Sequence, residues 1–586
     1  MLTASLHPLY LYLVGLFTPE ILGNLTSPQI QLGHGGPTVI GKQVSENVEF
    51  FGGIPYAEAP VGDLRLREAI MKDYAATTVI ESMNIINATD FGKACLQPGI
   101  PRDTVSEDCL TVNVYRPSNI LVDSNYTPLP VLLWMHGGGF VSGSGSRPGY
   151  NGTALVERGI IRGSPIIVIT INYRLGPLGF PQGREVDEKK DLLNLGLKDQ
   201  LIALEWVQQH IEAFGGDPLK VTVFGESAGG RSIELLILSG KLQGLVRGAI
   251  MQSSGRIPTH TPSVRHSSWV KYIESIPTCA REASSTSVDC IRSYATSDEL
   301  YDALEKAGIT ASSFDWAPVI DGPGGTVPGY PSQVEIPDKT HISMVYGNVL
   351  DEGTMATPQN VNSSAEIVPG LFPMFTPSPR GDDILERSLS ELLALYPDDP
   401  SAGAPFNTGD KTFGLNQEFK RYAAMFTDLI ESAERRLFAQ KVATSQVASK
   451  TPIYMYLFAD ANALSVTPSE FKPPEGSYAP GSLGVPHTSE ILYVFGNFDV
   501  ENSTMPQSSR DLSKTMMDYW ISFAASLDPN DAKGSTRPQW PPYHSPESNS
   551  DPMLLQFKGG DTKPIPDTFR EPAIAYINKN SVVFDA

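Results

Sequence analysis

The chain has 586 residues, 41% of them hydrophobic and 19% charged, with a formal net charge of −21. Such a length and composition support a large buried core and exclude disorder as the default state. The acidic balance, with no basic stripe, excludes phosphate-backbone binding, which needs clustered Lys and Arg, so no nucleic-acid partner is expected.

In chain order, residues 9–17 form an apolar run too short to span a bilayer as a helix of roughly 20 residues. Small and helix-breaking residues follow it up to about Asn24, so residues 1–23 read as a signal peptide, although the preceding region carries only His7 and no Lys or Arg. No later segment reaches transmembrane length, and the C-terminus has neither an anchor signal nor a retention signal. A secreted, extracellular protein is expected. Sequons at Asn24, Asn87, Asn125, Asn151, Asn362 and Asn502 agree with export and predict glycosylation. The four cysteines fall as two close pairs, Cys95 with Cys109 and Cys279 with Cys290. Four cysteines allow three connectivities; local pairing into two disulfides is the expectation for an exported chain.

Residues 131–135 are a continuous apolar run, which predicts a strand buried on both faces. His136-Gly-Gly-Gly-Phe140 follows directly. Adjacent glycines cost about 0.5–1 kcal/mol each in regular structure, so something must approach this main chain closely. Residues 165–171 predict the next buried strand and residues 191–210 a helix with Leu201, Leu204 and Val207 on its apolar face. Phe214-Gly-Gly-Asp-Pro218 ends that helix, and a β-branched run then leads into Gly225-Glu-Ser-Ala-Gly229. This is Gly-x-Ser-x-Gly between a strand and a helix, the setting of a nucleophile elbow. The turn is so sharp that side chains two positions either side of Ser227 would collide, and its hydroxyl projects clear near a helix N-terminus. The alternation of buried strands and helices predicts an α/β fold with a largely parallel sheet. From about residue 260 to 480 the chain reads as more helical and loop-rich, with helices over 384–396 and 418–443. A strand over 344–347 runs toward Asp351-Glu-Gly353, and a Pro/Gly/Ser-rich loop over 468–484 delivers Val485-Pro-His-Thr-Ser-Glu490. A further helix is predicted over 511–527, stopped by Asp528-Pro529.

These segments, together with Phe51-Gly-Gly-Ile-Pro-Tyr-Ala57 and Glu107-Asp-Cys-Leu-Thr-Val-Asn-Val-Tyr-Arg-Pro117, stand in the order found in the type-B carboxylesterase/lipase family, which the chain resembles. That group includes cholinesterases and certain fungal lipases. The resemblance implies an α/β-hydrolase fold: a large, mostly parallel central sheet flanked by helices with long insertions, as one domain over residues 24–586. It implies a serine carboxylic-ester hydrolase working through an acyl-enzyme. Ser227 would be the nucleophile, His487 the base and acid, and Glu352 the residue orienting the imidazole. The order Ser227, Glu352, His487 is that of α/β-hydrolases. Asp351 is the rival acid by sequence alone, and His544 is the other C-terminal histidine. The family's oxyanion hole maps to the N–H groups of Gly138, Gly139 and Ala228. Ser253 matches a family serine near the triad, and a plain strand-end serine is an equal reading.

The chain leaves the family pattern in two places. Its first cysteine loop is short and has no aromatic over residues 96–108, so the cation–π partner used for choline is missing there and cholinesterase activity is disfavoured. A full lipase lid is disfavoured for the same reason, leaving the 468–484 loop as a substitute cover. Arg231 stands where the family has a small residue. A charge near the sheet centre is costly unless paired, and Glu234 at i+3 is placed to pair. The alternative is that Arg231 reaches the pocket and favours substrates bearing a carboxylate. Phe314 and Trp316 are candidates for pocket lining or for aromatic core. His and Cys spacings offer no zinc site, so neither metal nor cofactor is expected, and the partner is a small-molecule or lipid ester. Lipase, sterol esterase and feruloyl-type esterase activities remain open within the family. A non-catalytic binding homologue is disfavoured because Ser, Glu, His and the oxyanion glycines are all present.

Overall fold

The computed structural model describes residues 27–585 apart from 34, 75–84, 122–125, 284–285, 311–313, 446–451, 464–475, 499–504 and 544–550. The expected leader, the sequons at Asn24, Asn125 and Asn502, His544 and residues 468–475 of the 468–484 loop lie outside the described residues.

An 11-stranded sheet forms the frame. Its strands in chain order are β1 (Lys42–Ser45), β2 (Val48–Pro55), β3 (Thr111–Pro117), β4 (Leu129–Met135), β5 (Ile167–Ile171), β6 (Gly216–Glu226), β7 (Gly248–Gln252), β8 (Ser343–Val349), β9 (Ile453–Phe458), β10 (Met553–Phe557) and β11 (Lys563–Pro566). Their order in space is β11-β10-β9-β8-β7-β6-β4-β5-β3-β2-β1. Every pairing from β5 across to β10 is parallel, while the pairings at both ends of the sheet are antiparallel. The helices used below are α1 (Thr153–Ile161), α2 (Leu195–His210), α3 (Ala228–Leu238), α4 (Glu418–Thr427), α5 (Ala433–Thr444), α6 (Gln507–Ser526) and α7 (Glu571–Lys579).

The period of two along each strand sorts side chains onto two cores. Val131, Leu133 and Met135 of β4 point into one, with Ile453, Met455 and Leu457 of β9. Leu132 and Trp134 point into the other, with Tyr454, Tyr456 and Phe458. Leu204 of α2, Ile233 of α3 and Phe438 of α5 cover the first face. Leu155 of α1 and Trp520 of α6 cover the second. This is why the strands read as unbroken apolar runs rather than alternating ones. A further cluster, containing Leu371, Tyr422, Phe426 and Ile574 of α7, forms in the insertion between β8 and β9 and against the C-terminus. The fold is therefore the α/β-hydrolase architecture expected, with its long insertions packed beside the sheet.

Both local disulfides are present, Cys95–Cys109 and Cys279–Cys290. Local differences from the sequence reading have physical causes. The helix expected over 191–210 starts at Leu195, because Asn194 takes a left-handed φ of 53° after a 3-10 turn at Lys190–Leu192. Gly216 to Pro218, expected as a connector, belongs to β6, whose register against β4 shifts between Gly216 and Val221. The helix expected over 418–443 is interrupted by a π-helical turn, Asp428–Ser432, between α4 and α5.

Candidate active site

β6 ends at Glu226 and α3 begins at Ala228, so a single residue makes the turn. Ser227 sits there at φ 54°, ψ −123°, a region costing of order 1–3 kcal/mol for a residue with a Cβ. The surroundings impose it. Ser227 N–H donates to Gln252 O of β7 at 2.9 Å, and Ser227 O accepts from Arg231 N–H at 2.8 Å. A Cβ on Gly229 would stand 2.0 Å from Met135 O, and one on Gly225 would stand 2.7 Å from Gly229 C. Both flanking glycines are thus required by backbone approach, as the five-residue pattern predicts.

The triple-glycine loop leaves the end of β4 against this turn: a Cβ on Gly137 would lie 3.0 Å from Ser227 Cβ. Gly138 and Gly139 have φ of 117° and 61°. Gly138 O accepts from Val141 and Ser142 N–H, and Phe140 O from Gly176 N–H, which pins the loop. The N–H groups of Gly138, Gly139 and Ala228 have no acceptor among the described residues. Three free donors therefore stand on the two segments that meet at Ser227.

His487 and Glu352 are brought together from distant segments. His487 Nδ1 lies 2.6 Å from Glu352 Oε2. Glu352 is fixed by two further donors on Oε1, Ser253 Oγ at 2.6 Å and Val349 N–H at 2.7 Å. Ser253 therefore braces the carboxylate rather than merely ending a strand. Asp351 points elsewhere: its oxygens accept from Phe406 N–H at 2.7 Å and Val485 N–H at 2.8 Å. Burial raises the Asp351 carboxyl to about 7. It secures the loop that carries His487, and it does not touch the imidazole. The other imidazole nitrogen, Nε2, faces Glu226 Oε1 at 3.2 Å. No hydrogen bond joins Ser227 Oγ to His487, although both line one cavity.

That cavity measures about 620 Å³, within the range of small-molecule sites. Its floor is Ser227, Ser253, Glu352 and His487, and its apolar walls include Ile257, Phe314, Met355, Leu371 and Phe426. Phe314 is thus a wall residue. Trp316 is not; it is buried against Trp269 and Tyr272 in a separate core.

Arg231 does not line the cavity. Its Nη1 pairs with Glu234 Oε1 at 2.7 Å and Glu434 Oε1 at 3.4 Å. Glu434 also receives Arg256 Nη2 at 3.0 Å, and Glu234 Oε2 accepts from Ser254 Oγ at 2.7 Å. The expected Arg231–Glu234 pair exists, inside a larger buried network. Arg231→Ala leaves Glu234 and Glu434 under-compensated and is expected to cost about 3–5 kcal/mol in denaturant unfolding. Selectivity between neutral and acidic esters should not change; a shift there would show that Arg231 reaches substrate.

Three buried carboxylates near His487 were not singled out by motif reasoning: Glu226, Glu431 and Glu490. Glu226 and Glu490 do stand inside quoted motifs, as the variable position of the elbow and the end of the histidine segment. Glu431 carries no motif signal; it lies in the π-helical turn, Asp428–Ser432. Burial alone would lower the His487 pKa, but Glu226 and Glu352 outweigh it and hold the imidazole well above its ordinary value. Burial raises Glu226 to about 8 and Glu490 to about 7. One ligating atom from each of Glu352, Glu431 and His487 lies within 4.8 Å of the others, the spacing of a cation-sized group.

The model of the carboxylesterase family matches residues 27–565. This chain belongs to the carboxylesterase family. As a carboxylesterase it is a carboxylic-ester hydrolase, and its relatives agree. The secreted triacylglycerol lipase LIP1 of Gibberella zeae is 31% identical over 93% of this chain and 89% of its own length. The para-nitrobenzyl esterase of Bacillus subtilis is 31% identical over 88% and 92%. The crystal structure of EstA from Aspergillus niger superposes with a TM-score of 0.75 at 25% identity, covering 96% of this carboxylesterase and 99% of that chain.

Proposed function

We propose that this carboxylesterase cleaves its ester through a covalent acyl-enzyme formed on Ser227. Ser227 Oγ attacks the ester carbonyl carbon while His487 Nε2 takes its proton, and the same nitrogen returns the proton to the leaving alcohol. Water then attacks the acyl-enzyme by the same proton route and frees the acid. Glu352, on Nδ1, holds the imidazole in the tautomer that leaves Nε2 free and stabilises the imidazolium. The N–H groups of Gly138, Gly139 and Ala228 receive the carbonyl oxygen as it becomes negative, aided by the N-terminus of α3. The observation that carries this reading is the 2.6 Å His487–Glu352 contact opening onto the same cavity as the strained Ser227. In attack geometry the imidazole must leave Glu226 and swing to Ser227, a tightening common on substrate binding.

Labelling with diethyl p-nitrophenyl phosphate tests the assignment. One equivalent of nitrophenolate should be released and the phosphoryl group found on the peptide containing Ser227. An adduct on another residue overturns it.

The mostly apolar cavity and the lipases among the relatives favour esters with an apolar body. A rate panel of short and long p-nitrophenyl esters, a triglyceride emulsion, a sterol ester and methyl ferulate separates the subclasses. Preference for short soluble esters is the expected result, because the first cysteine loop is too short for a full lid. Activation at an oil–water interface would instead assign a lipase. Export completes the proposal: relatives are named as secreted, and among the described residues no helix is long and apolar enough to cross a membrane. Asn87, Asn151 and Asn362 are exposed and open to glycosylation.

A further inference from the structure

One wall residue of the cavity has chemistry that the acyl-enzyme steps do not use. Glu431 lies in the π-helical turn between α4 and α5, is only 3% exposed, and lines the cavity. A π-turn displaces its residues from helical register, and such insertions gather at functional sites. Here it aims a carboxylate into a wall that is otherwise mainly apolar. Glu431 Oε2 accepts from Gly255 N–H at 2.9 Å, so the side chain is held in place. No hydrogen bond or salt bridge to Oε1 is found among the described residues.

The two nearby arginines do not neutralise it. Arg256 also lines the cavity, but its Nε and Nη2 are bound to Glu434 at 3.2 and 3.0 Å. Arg231 is bound to Glu234 and Glu434. Those two arginines are thus engaged by Glu234 and Glu434, while Glu352, Glu431 and Glu490 face the His487 imidazole, and Glu226 feels Arg147 as well as that imidazole. A buried carboxylate is costly to ionise unless a counter-charge is paired with it. The surplus is negative and lies beside the reacting groups, where Glu431 comes within 4.8 Å of the His487–Glu352 pair.

We propose that Glu431 is a specificity-determining residue that selects esters carrying a protonated amine within a few bonds of the scissile carbonyl. This rests on the reading of Ser227 as the nucleophile of that same cavity. Burial, reinforced by Glu352, raises the Glu431 pKa well above the usual carboxyl range, so without a cation the group is held as the neutral acid. An arriving ammonium ion supplies the missing charge, Glu431 ionises against it, and its proton leaves to solvent. The apolar remainder of the cavity accepts the rest of the substrate. A neutral ester of the same shape gains no such partner.

Isosteric ester pairs test this on both sides of the bond. β-Alanine ethyl ester is compared with ethyl butyrate, and 2-(dimethylamino)ethyl butyrate with 3-methylbutyl butyrate. At least one ammonium ester should exceed its neutral twin in kcat/KM. In Glu431→Gln that ratio should fall by about 30-fold or more, as for loss of a buried charge partner. Glu431→Leu should lower the ratio further by also raising turnover of the neutral ester. Thermal melting of both variants confirms that they are folded. A ratio that does not move in either variant overturns the proposal, as does a preference of the native enzyme for ethyl hydrogen succinate over ethyl butyrate. Ser227→Ala run on the same esters keeps the two readings apart. If it is inactive and the ratio is unmoved, only the role of Glu431 falls; if it remains active, the site itself is misassigned.

Discussion

Ser227→Ala is expected to lose ester hydrolysis by about 10⁴-fold or more while remaining folded. The size of the effect comes from removing the only atom that forms the covalent bond; the residual rate would come from the oxyanion donors and substrate binding alone. Folding should survive because the backbone at this turn is fixed by neighbours rather than by the hydroxyl. Ser227 N–H and O are hydrogen-bonded to Gln252 and Arg231, and the turn is clasped between β4 and β7. Rate measurement on a p-nitrophenyl ester, with circular dichroism melting alongside, checks both halves. Turnover within tenfold of the native rate, on the order of 1.4 kcal/mol in barrier, would sink the nucleophile assignment.

Glu352→Gln is the second large effect, with an expected loss of about 10⁴-fold in kcat. The amide can keep the contact with His487 Nδ1, but it no longer favours the tautomer with the proton on that nitrogen, nor stabilises the imidazolium. Its pH profile should move as well. His487 is held above its ordinary pKa by the Glu226 and Glu352 carboxylates, so the unprotonated base grows in as pH rises through that raised value. Removing one carboxylate charge lowers it, and the residual activity should therefore rise at lower pH than in the native enzyme. Asp351→Asn is the comparison that excludes a general effect of losing an acid in this segment. It should stay within a few-fold in kcat, because Asp351 does not contact His487. It should cost about 1–3 kcal/mol in stability, since the Phe406 and Val485 N–H groups lose an ionisable acceptor. Equal losses in the two variants would remove the distinction between the two acids.

The frame and the elbow turn were legible in the residues, because each was encoded by a local necessity. Val131 to Met135 reads as a strand buried on two faces because nothing polar interrupts it. Gly225 and Gly229 read as an elbow because no Cβ fits against Gly229 or Met135. The two disulfides follow cysteines that are close in the chain. The pairing of Arg231 with Glu234 follows from one helical turn.

The rest depends on contacts between distant segments, which no local pattern encodes. Asp351 and Glu352 are adjacent carboxylates that only the family resemblance separates in the sequence, in favour of Glu352, and the path of the chain after β8 turns Glu352 to His487 and Asp351 to Val485. Ser253 becomes a brace because β7 ends beside β8. The second partner of Arg231, Glu434, lies 203 residues away, so a local pair becomes a network. Phe314 and Trp316 have the same aromatic character in the sequence, yet one lines the cavity and the other is core. Glu431 is the extreme case. The sequence over 418–443 reads as one regular helix, whereas Glu431 lies in a π-helical turn of five residues and comes within 4.8 Å of the imidazole. Helical periodicity is visible in a sequence, but a local break in it is set by the packing around it, and so is the charge that the break delivers to the pocket.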